Sequence, residues 1–189
     1  MKTIVATIEG VSPLGFSRAI SSLRNTGEGH DDYEQRTWRE RMHIRPSGRI
    51  FIPGPMVKKC LENVAKYLSE SVPGKGKATY TKNFKAGVSI FDDIELPNKA
   101  ADVPGVRVFV PSDGKSGGGS RVWKTFPVIQ EWTGDVKIIL FDPLFIAKPD
   151  KVVEYLEHAG KFIGIGTYRP QNGGNWGRFS VKKWKVVEV

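Results

Sequence analysis

The most regular hydrophobic pattern in the chain runs from Met56 to Leu68. Its apolar positions recur every three or four residues, which is the spacing of one helix face. They are Met56, Val57, Cys60, Leu61, Val64, Ala65 and Leu68. Pro55 suits the first turn of a helix, and Pro73 follows the last apolar position. The pattern therefore predicts an amphipathic helix across residues 55–68.

A second helix is predicted over residues 149–159. Pro149 stands at its start, where a first-turn proline is tolerated. Val152, Val153 and Leu156 have the spacing of an inward face, and Gly160 is the predicted C-cap.

Strands are predicted where β-branched and apolar residues alternate with others. The first covers residues 2–11, where Ile4, Ala6 and Ile8 share one face. The other candidates are residues 49–52, 88–91, 106–110, 121–129, 135–141, 162–168 and 178–187. The order of strand, helix, several strands, helix and strand predicts an α+β fold. Its core would be ferredoxin-like (RRM-like), βαββαβ, with both helices on one face of an antiparallel sheet.

Long insertions are predicted to interrupt this core within a single domain of 189 residues. They lie at residues 12–48, 72–87 and 111–120. The first opens with a loop of little regular structure and continues into a charged block. The second, which contains Tyr80 and Phe84, indicates a flexible basic arm or hairpin, and the third indicates a mobile glycine-rich loop.

Composition is compatible with a packed core, because 39% of residues are hydrophobic and 26% are charged. Cys60 is the single cysteine of the sequence, which excludes an intramolecular disulfide and a Cys-based zinc site. No apolar run has the length of a signal peptide or membrane span, so we expect a cytoplasmic protein without a membrane partner. Asp92, Asp93 and Glu95 lack a further ligand, so neither a metal nor a cofactor is predicted.

The charge balance gives the first indication of a partner. Lys and Arg outnumber Asp and Glu by 29 to 20, and a net charge of +9 favours nucleic acid and, less strongly, anionic membrane. Lys75, Lys77 and Lys82 fall in one acid-free stretch, and residues 161–187 form a second. Both stretches contain aromatic residues, as do proteins that follow a single strand along its backbone.

The glycine-rich segment, residues 164–179, carries the strongest functional signal. Arg169 and Arg178 can pair with phosphates, and Tyr168 and Trp176 offer stacking faces. Glycines let a ligand approach the backbone closely; those selected are Gly164, Gly166, Gly173 and Gly174. A dinucleotide-binding fingerprint is excluded, because the helix precedes the glycines instead of following them. The alternative is a glycine-rich β-hairpin whose Trp and Phe pack into the core.

Ile52, Pro53 and Gly54 join a predicted strand to the first predicted helix. A helix N-terminus attracts anions, and this one lies close to Lys58 and Lys59. The motif therefore indicates a candidate phosphate contact, with a solvated surface lysine as the alternative.

The Ile-Pro-Gly helix start and the glycine-rich segment, in this order, resemble the signature of the RAMP superfamily, which includes the backbone subunits of CRISPR effector complexes. The resemblance spans residues 2–11, 50–68 and 135–187. It implies binding of RNA along its backbone, with Lys58 beside the RNA and residues 164–178 around the backbone, by subunits that polymerise. It also implies a protruding hairpin that interrupts the bases, at residues 75–85 or 111–120.

The chain also departs from that pattern. It is short for a backbone subunit, and Pro55, Met56 and Val57 stand where the superfamily usually has Ser-Ser before the helix lysine. Residues 33–45 form an unusual charged block. A virus-encoded or solitary relative fits these features as well as a CRISPR subunit does.

We interpret the chain as a non-catalytic protein that binds single-stranded nucleic acid, RNA in preference to DNA, as a homo-oligomer or a ribonucleoprotein subunit. The first alternative is an endoribonuclease. Some RAMP relatives cut RNA with an aspartate in the interval that here holds Asp31 and Asp32, and His30 and His43 could supply acid–base chemistry. The others are a backbone-subunit mimic that acts as an interaction or inhibitor protein, and a single-stranded DNA-binding protein.

Overall fold

The computed structural model describes residues 1–112 and 119–188. Its strands are β1 (Lys2–Gly10), β2 (Leu14–Gly15), β3 (Arg49–Ile52), β4 (Val88–Ser89), β5 (Ile94–Lys99), β6 (Gly105–Pro111), β7 (Arg121–Ile129), β8 (Thr133–Leu140) and β9 (Phe179–Glu188). The helices are α1 (His30–Thr37), α2 (Gly54–Leu68), α3 (Thr81–Gly87), α4 (Pro143–Ala147) and α5 (Pro149–His158). No described helix is long and apolar enough to cross a membrane.

The main sheet has the strand order β4-β8-β1-β9 and is antiparallel at every pair. β1 lies inside the sheet, and its alternating residues Ile4, Ala6 and Ile8 are fully buried. Ile4 is opposite Ile138 in β8 and Val186 in β9. The apolar stripes of α2 and α5 belong to the same core. Strands β1, β4, β8 and β9 with helices α2 and α5 thus reproduce the predicted βαββαβ order, and the predicted α+β fold class is confirmed.

Close packing explains why the Ile-Pro-Gly turn contains a glycine. Ile52 ends β3 fully buried, and α2 begins at Gly54 directly against the chain that leaves β4. A Cβ at Gly54 would lie 2.6 Å from the carbonyl oxygen of Asp92 and 2.8 Å from that of Ile90. Contacts that short are repulsive, so glycine allows the helix to start at this point.

The structure corrects the prediction of a flexible basic arm or hairpin over residues 72–87. A bridge between Ser71 and Thr79 closes a short turn, and α3 follows. Phe84 is fully buried, with its ring 4.4 Å from that of Tyr155 and 4.6 Å from that of Phe145. A helix of seven residues has too few turns to display an apolar period, so sequence reasoning missed it.

The first insertion also contains a helix that the sequence did not predict. Residues 30–37 form α1, and a 3-10 turn at Trp38–Arg41 continues it where a loop and then a charged block were expected. Its buried residues are polar or charged, namely Glu34, Thr37 and Arg41. Ion pairs and hydrogen bonds, and not apolar contacts, hold this helix to the rest of the protein. The helix therefore has no periodic apolar positions that could have predicted it.

Two further predictions were wrong. Gly160 is not a C-cap, because the chain continues from α5 into a π-helical turn, Ala159–Ile163, which ends at Gly164. Consequently, residues 162–168 form no strand; their one ladder contact is a single bridge between Gly15 and Thr167.

β5 was missed because Pro97 interrupts its strand pattern. The proposed loop at residues 111–120 falls largely outside the described residues.

Candidate nucleic-acid interface

The glycine-rich segment folds back on itself between the π-helical turn and β9. The backbone N–H of Ile165 donates to the carbonyl of Gly177 at 2.9 Å, and that of Trp176 donates to the carbonyl of Tyr168 at 2.9 Å. A 3-10 turn, Pro170–Asn172, lies at the tip. The N–H of Thr167 donates to the carbonyl of Gly15 at 3.0 Å, which ties the segment to β2. The segment is therefore an internally bonded loop attached to the body of the protein.

The glycines of this loop serve two different purposes. Gly177 has φ 74°, and a Cβ there would overlap the carbonyl oxygen of Ile165. Gly164, Gly166 and Gly174 likewise approach other backbone or ring atoms too closely for a side chain. Gly173 has φ 79°, and a Cβ added there would meet nothing within 4 Å. Most of these glycines thus permit the chain to cross itself, while Gly173 faces open space.

Tyr168 and Trp176 of the loop are half-buried. The rings of Tyr168 and Trp176 are 5.0 Å apart and inclined at 70°, and Tyr168 meets Phe126 of β7 edge-on at 5.7 Å. Burial raises the pKa of Tyr168. Trp176 also lies over Gly15, where a Cβ would come within 2.7 Å of the indole. Both rings therefore brace the loop against β2 and β7, and part of each surface stays exposed.

The two arginines of the loop differ in their surroundings. Nη1 of Arg178 donates to the carbonyl oxygen of Lys161, at the π-helical turn. Arg169 is half-buried, and its Nε finds no hydrogen-bond partner among the described residues. Arg169 also lies close enough to the buried Cys60 to favour the thiolate, although burial dominates and raises the pKa of Cys60 to about 12.

A groove separates the glycine-rich segment from the hairpin that β6 and β7 form. We call it the loop–hairpin groove; its volume is about 550 Å³. It is lined by Val110, Pro111, Lys124, Phe126, Thr167, Tyr168 and Asn172. Nζ of Lys124 donates to the carbonyl of Ser112 at 3.2 Å, which holds this cation at the groove. The groove combines one cation, two aromatic rings and polar loop atoms.

The opposite face of the β6–β7 hairpin carries a set of residues that sequence reasoning missed. Phe109 and Trp123 are cross-strand partners with ring centres 5.2 Å apart, and each is 45% exposed. The guanidinium of Arg107 lies 5.0 Å from the Trp123 ring, and that of Arg121 lies 5.4 Å from the Phe109 ring. We call these four residues the aromatic–arginine ladder. The signal was the spacing Arg-x-Phe in one strand and Arg-x-Trp in the next.

The lysines near the Ile-Pro-Gly turn make bonds within the protein. Nζ of Lys58 donates to the carbonyls of Phe84 and Lys85 at the end of α3 and pairs with Glu62 at 3.2 Å. Burial lowers its pKa. Lys59 is exposed and also pairs with Glu62. Lys58 therefore joins α2 to α3, and an approaching phosphate would have to replace these bonds.

The N-terminus of α2 already holds an anionic group. The backbone N–H of Gly54 donates to Oδ1 of Asp93 at 3.2 Å. Oδ2 of Asp93 pairs with Arg45 at 2.8 Å, and Arg45 also meets Glu95 at 3.4 Å. The predicted phosphate position at this helix start is thus occupied by a carboxylate of the protein.

Lys75, Lys77 and Lys82 line another groove, of about 880 Å³, between residues 72–83 and the start of α4. We call it the lysine groove. None of the three lysines forms an ion pair with an acid in the described parts of the chain. The lysine groove shares no lining residue with the loop–hairpin groove.

Comparison with known proteins finds similarity in structure. No family model matches the sequence, and a search of curated proteins finds no match. A chain from the type III-B Cmr-beta complex bound to cognate target RNA superposes with a TM-score of 0.60 at 10% identity, over 99% of this chain and 61% of that one. Cmr6 from Pyrococcus furiosus gives 0.50 at 13%, over 96% and 98%. At these identities the likeness shows that this chain shares the fold of these two CRISPR proteins.

A type IV-B CRISPR complex also matches, with a TM-score of 0.49 at 14% identity, over 100% of this chain and 91% of that one. The chain thus spans about three fifths of the Cmr-beta chain's length and nearly the whole of Cmr6. The glycine-rich segment lies between α5, the second core helix, and β9, the last strand.

The residues predicted as catalytic candidates contact separate elements of the fold. His30 uses both ring nitrogens, one toward the carbonyl of Trp123 at 3.0 Å and one toward Arg24 at 3.3 Å. Asp31 pairs with Arg107 at 3.0 Å, and the neighbouring Asp32 is exposed. His43 packs on Phe51, with ring centres 5.5 Å apart. Among the described residues, no three His, Cys, Asp or Glu side chains converge as a metal site would require.

Proposed function

We propose that this protein is a non-catalytic, RAMP-type binder of single-stranded RNA. The observation that carries the proposal is the loop–hairpin groove, which is lined by Lys124, Tyr168 and Asn172. The same glycine-rich segment also carries Arg169 and Arg178. A single strand needs cations for its phosphates and aromatic surface for its bases. Both lie within the same loop and hairpin.

Uncompensated charge supports this assignment. Arg121, Lys124, Lys161, Arg169 and Arg178 form no ion pair with any acid in the described ranges. By contrast, glutamates pair with Arg36 on α1, with Arg41 in the 3-10 turn after it, and with Lys58 on α2. A surface whose cations lack internal partners attracts phosphates most strongly.

The aromatic–arginine ladder supports a contact with bases. Exposed aromatic rings flanked by guanidinium groups can stack on unpaired bases of any sequence. β6 ends at Pro111 and β7 begins at Arg121, at the two limits of residues 111–120, one of the two positions expected for a hairpin that interrupts the bases. We propose that the glycine-rich segment holds the backbone and that the hairpin engages the bases.

The remaining predicted contacts belong to the same proposal. The strand would continue from the loop–hairpin groove toward the lysine groove, where Lys75, Lys77 and Lys82 offer charge. Lys58 and Lys59 remain predicted contacts to the RNA. To bind a phosphate, each must release its ion pair with Glu62. RNA in preference to DNA, assembly as a homo-oligomer or ribonucleoprotein subunit, and action in the cytoplasm are also proposals. The choice of RNA and of a ribonucleoprotein is supported by a neighbour in fold that is described as bound to target RNA.

The test is binding of labelled single-stranded RNA, and of the matching DNA, by fluorescence anisotropy. The double variant Arg169→Ala/Arg178→Ala is expected to weaken RNA binding at least tenfold, because each lost phosphate contact lowers affinity. The matched control is Arg18→Ala/Arg49→Ala, which removes two exposed arginines on other elements. Equal weakening by both pairs, or no weakening by the first, would overturn the assignment. If the protein binds the DNA more tightly than the RNA, single-stranded DNA is the preferred ligand.

A further inference from the structure

An exposed aromatic cluster lies on the helical side of the glycine-rich segment. Tyr67, in the last turn of α2, is 63% exposed, which is unusual for so large a ring. Its ring centre is 5.5 Å from that of Phe162, and the Phe162 ring stacks on His158 at 5.8 Å and 23°. The ammonium of Lys161 lies 5.4 Å from the centre of the Phe162 ring. We call Tyr67, His158, Lys161 and Phe162 the Tyr67 cluster.

The π-helical turn Ala159–Ile163 produces this cluster. It follows α5 directly and carries both Lys161 and Phe162. π-helical turns are rare and occur preferentially at functional sites, where they change the direction of a few side chains. Here the turn brings Phe162 under Tyr67, so that Phe162 is half-buried while Tyr67 projects into solvent.

The cluster is continuous with the glycine-rich segment. Asn63, one helical turn before Tyr67, donates from Nδ2 to Oε1 of Gln171 at 3.0 Å, at the tip of that segment. Arg178 donates to the carbonyl of Lys161. A strand whose backbone follows the segment between Gln171 and Arg178 therefore passes beside Tyr67.

The charge around the ring favours a polyanion. Lys66 and Lys161 are exposed next to Tyr67 and Phe162 and form no ion pair with a described acid. Two acids approach His158. Glu154 lies 3.9 Å from it, and Glu70 is itself paired with Lys151 at 2.7 Å. An exposed ring with cations beside it stacks on a base and attracts the flanking phosphates.

We infer that Tyr67 is a stacking site for one unpaired base of the strand that the glycine-rich segment holds. The inference rests on the proposed function and adds to it a base contact on α2, apart from the hairpin. Any unpaired base can stack on the Tyr67 ring, so the site does not select for a sequence. Purines have larger rings than pyrimidines and should therefore bind there better.

The experiment compares the effect of changing the protein at Tyr67 with the effect of removing the bases from the RNA strand. Wild type, Tyr67→Ala, Tyr67→Phe and the exposed-aromatic control Phe91→Ala are titrated with a 12-nucleotide oligoadenosine RNA and with an abasic strand of the same length. Tyr67→Ala is expected to weaken oligoadenosine binding about tenfold, the usual loss for one stacked base. It should leave abasic binding within about twofold. Tyr67→Phe keeps the ring and should bind as the wild type does.

A second readout reports stacking directly. One adenine of the RNA is replaced by 2-aminopurine, whose fluorescence is quenched by stacking, and quenching at one position should be lost in Tyr67→Ala and retained in Phe91→Ala. Equal effects of Tyr67→Ala on both strands, or no effect on either, would overturn the inference and leave the proposed function intact. A wild-type protein that binds neither strand would overturn both.

Discussion

The carboxylate of Glu34 forms a buried ion pair with the guanidinium of Arg41, with 2.8 Å between Oε1 and Nη2. The second carboxylate oxygen of Glu34 accepts a hydrogen bond from the backbone N–H of Thr125 at 3.1 Å. The guanidinium of Arg41 also lies 5.4 Å from the ring centre of Phe126. This pair therefore attaches α1 to β7, the strand that contributes Lys124 and Phe126 to the loop–hairpin groove.

Removal of one partner from this pair should destabilise the protein strongly. Arg41→Ala leaves the Glu34 carboxylate buried without its cation, and such changes cost about 3–5 kcal/mol. The measurement is urea unfolding followed by circular dichroism. Arg39→Ala, two residues away and exposed, is the control and should change the free energy of unfolding by about 0.5 kcal/mol or less. Similar values for the two variants would show that the pair does not hold α1.

Cys60 should be unreactive in the native protein. Burial raises its pKa to about 12, so at pH 8 the thiol stays protonated, and the thiolate is the reactive form. Its sulfur also lies 3.4 Å from the carbonyl oxygen of Gly164, directly beneath the glycine-rich segment. Modification by a thiol reagent at pH 8 should become rapid only in urea. Rapid modification without urea would mean that the loop opens readily over α2.

Gly173 and Gly177 should respond very differently to alanine. Both have positive φ, so each substitution costs about 1 kcal/mol of backbone strain. At Gly177 the added Cβ also overlaps the Ile165 carbonyl, whereas at Gly173 it meets no atom. Gly177→Ala should therefore lower the midpoint of thermal unfolding much further than Gly173→Ala. Equal shifts would indicate that the loop is not closed as described.

The aromatic–arginine ladder should contribute to affinity without contributing to stability. Phe109→Ala/Trp123→Ala removes two rings that are each 45% exposed, so the fold should be retained. If one base stacks there, RNA affinity should fall about tenfold. Phe91→Ala/Phe141→Ala, at exposed rings on other elements, is the matched control. An unchanged affinity in the ladder variant would remove the hairpin from the interface.

The RNA itself should stay intact. His30 is bonded through both ring nitrogens, and Asp31 is paired with Arg107. Labelled RNA incubated with the protein, with and without divalent ions, should therefore migrate unchanged on a denaturing gel. Cleavage that is lost in Asp31→Asn or Asp32→Asn would favour the endoribonuclease alternative.

The core of the fold was predictable because its elements bury apolar side chains at a fixed period. The stripe of α2 and the alternation of β1 each predicted an element within one or two residues of its bounds. α1 could not be found in this way, since Glu34 and Arg41 dock it through charge. The segment of α3 was too short to reveal a period, and Pro97 concealed β5.

The candidate site was predictable only in part. Arg169, Tyr168 and Trp176 were predicted to share one loop, and they do, but the sequence could not reveal that both rings brace that loop against β2 and β7. Tyr67 was missed because a single aromatic residue on a helix carries no signal by itself. Its significance depends on the π-helical turn, which places Phe162 beneath it.

The proposed binding of single-stranded RNA is tested most directly by its dependence on salt concentration. The logarithm of the association constant should fall linearly with the logarithm of salt concentration, by about 0.7 per phosphate neutralised. Arg169→Ala/Arg178→Ala should reduce that slope by about 1.4, the share of two phosphate contacts. Absence of binding at low salt, or a slope that the double variant leaves unchanged, would contradict the proposed binding.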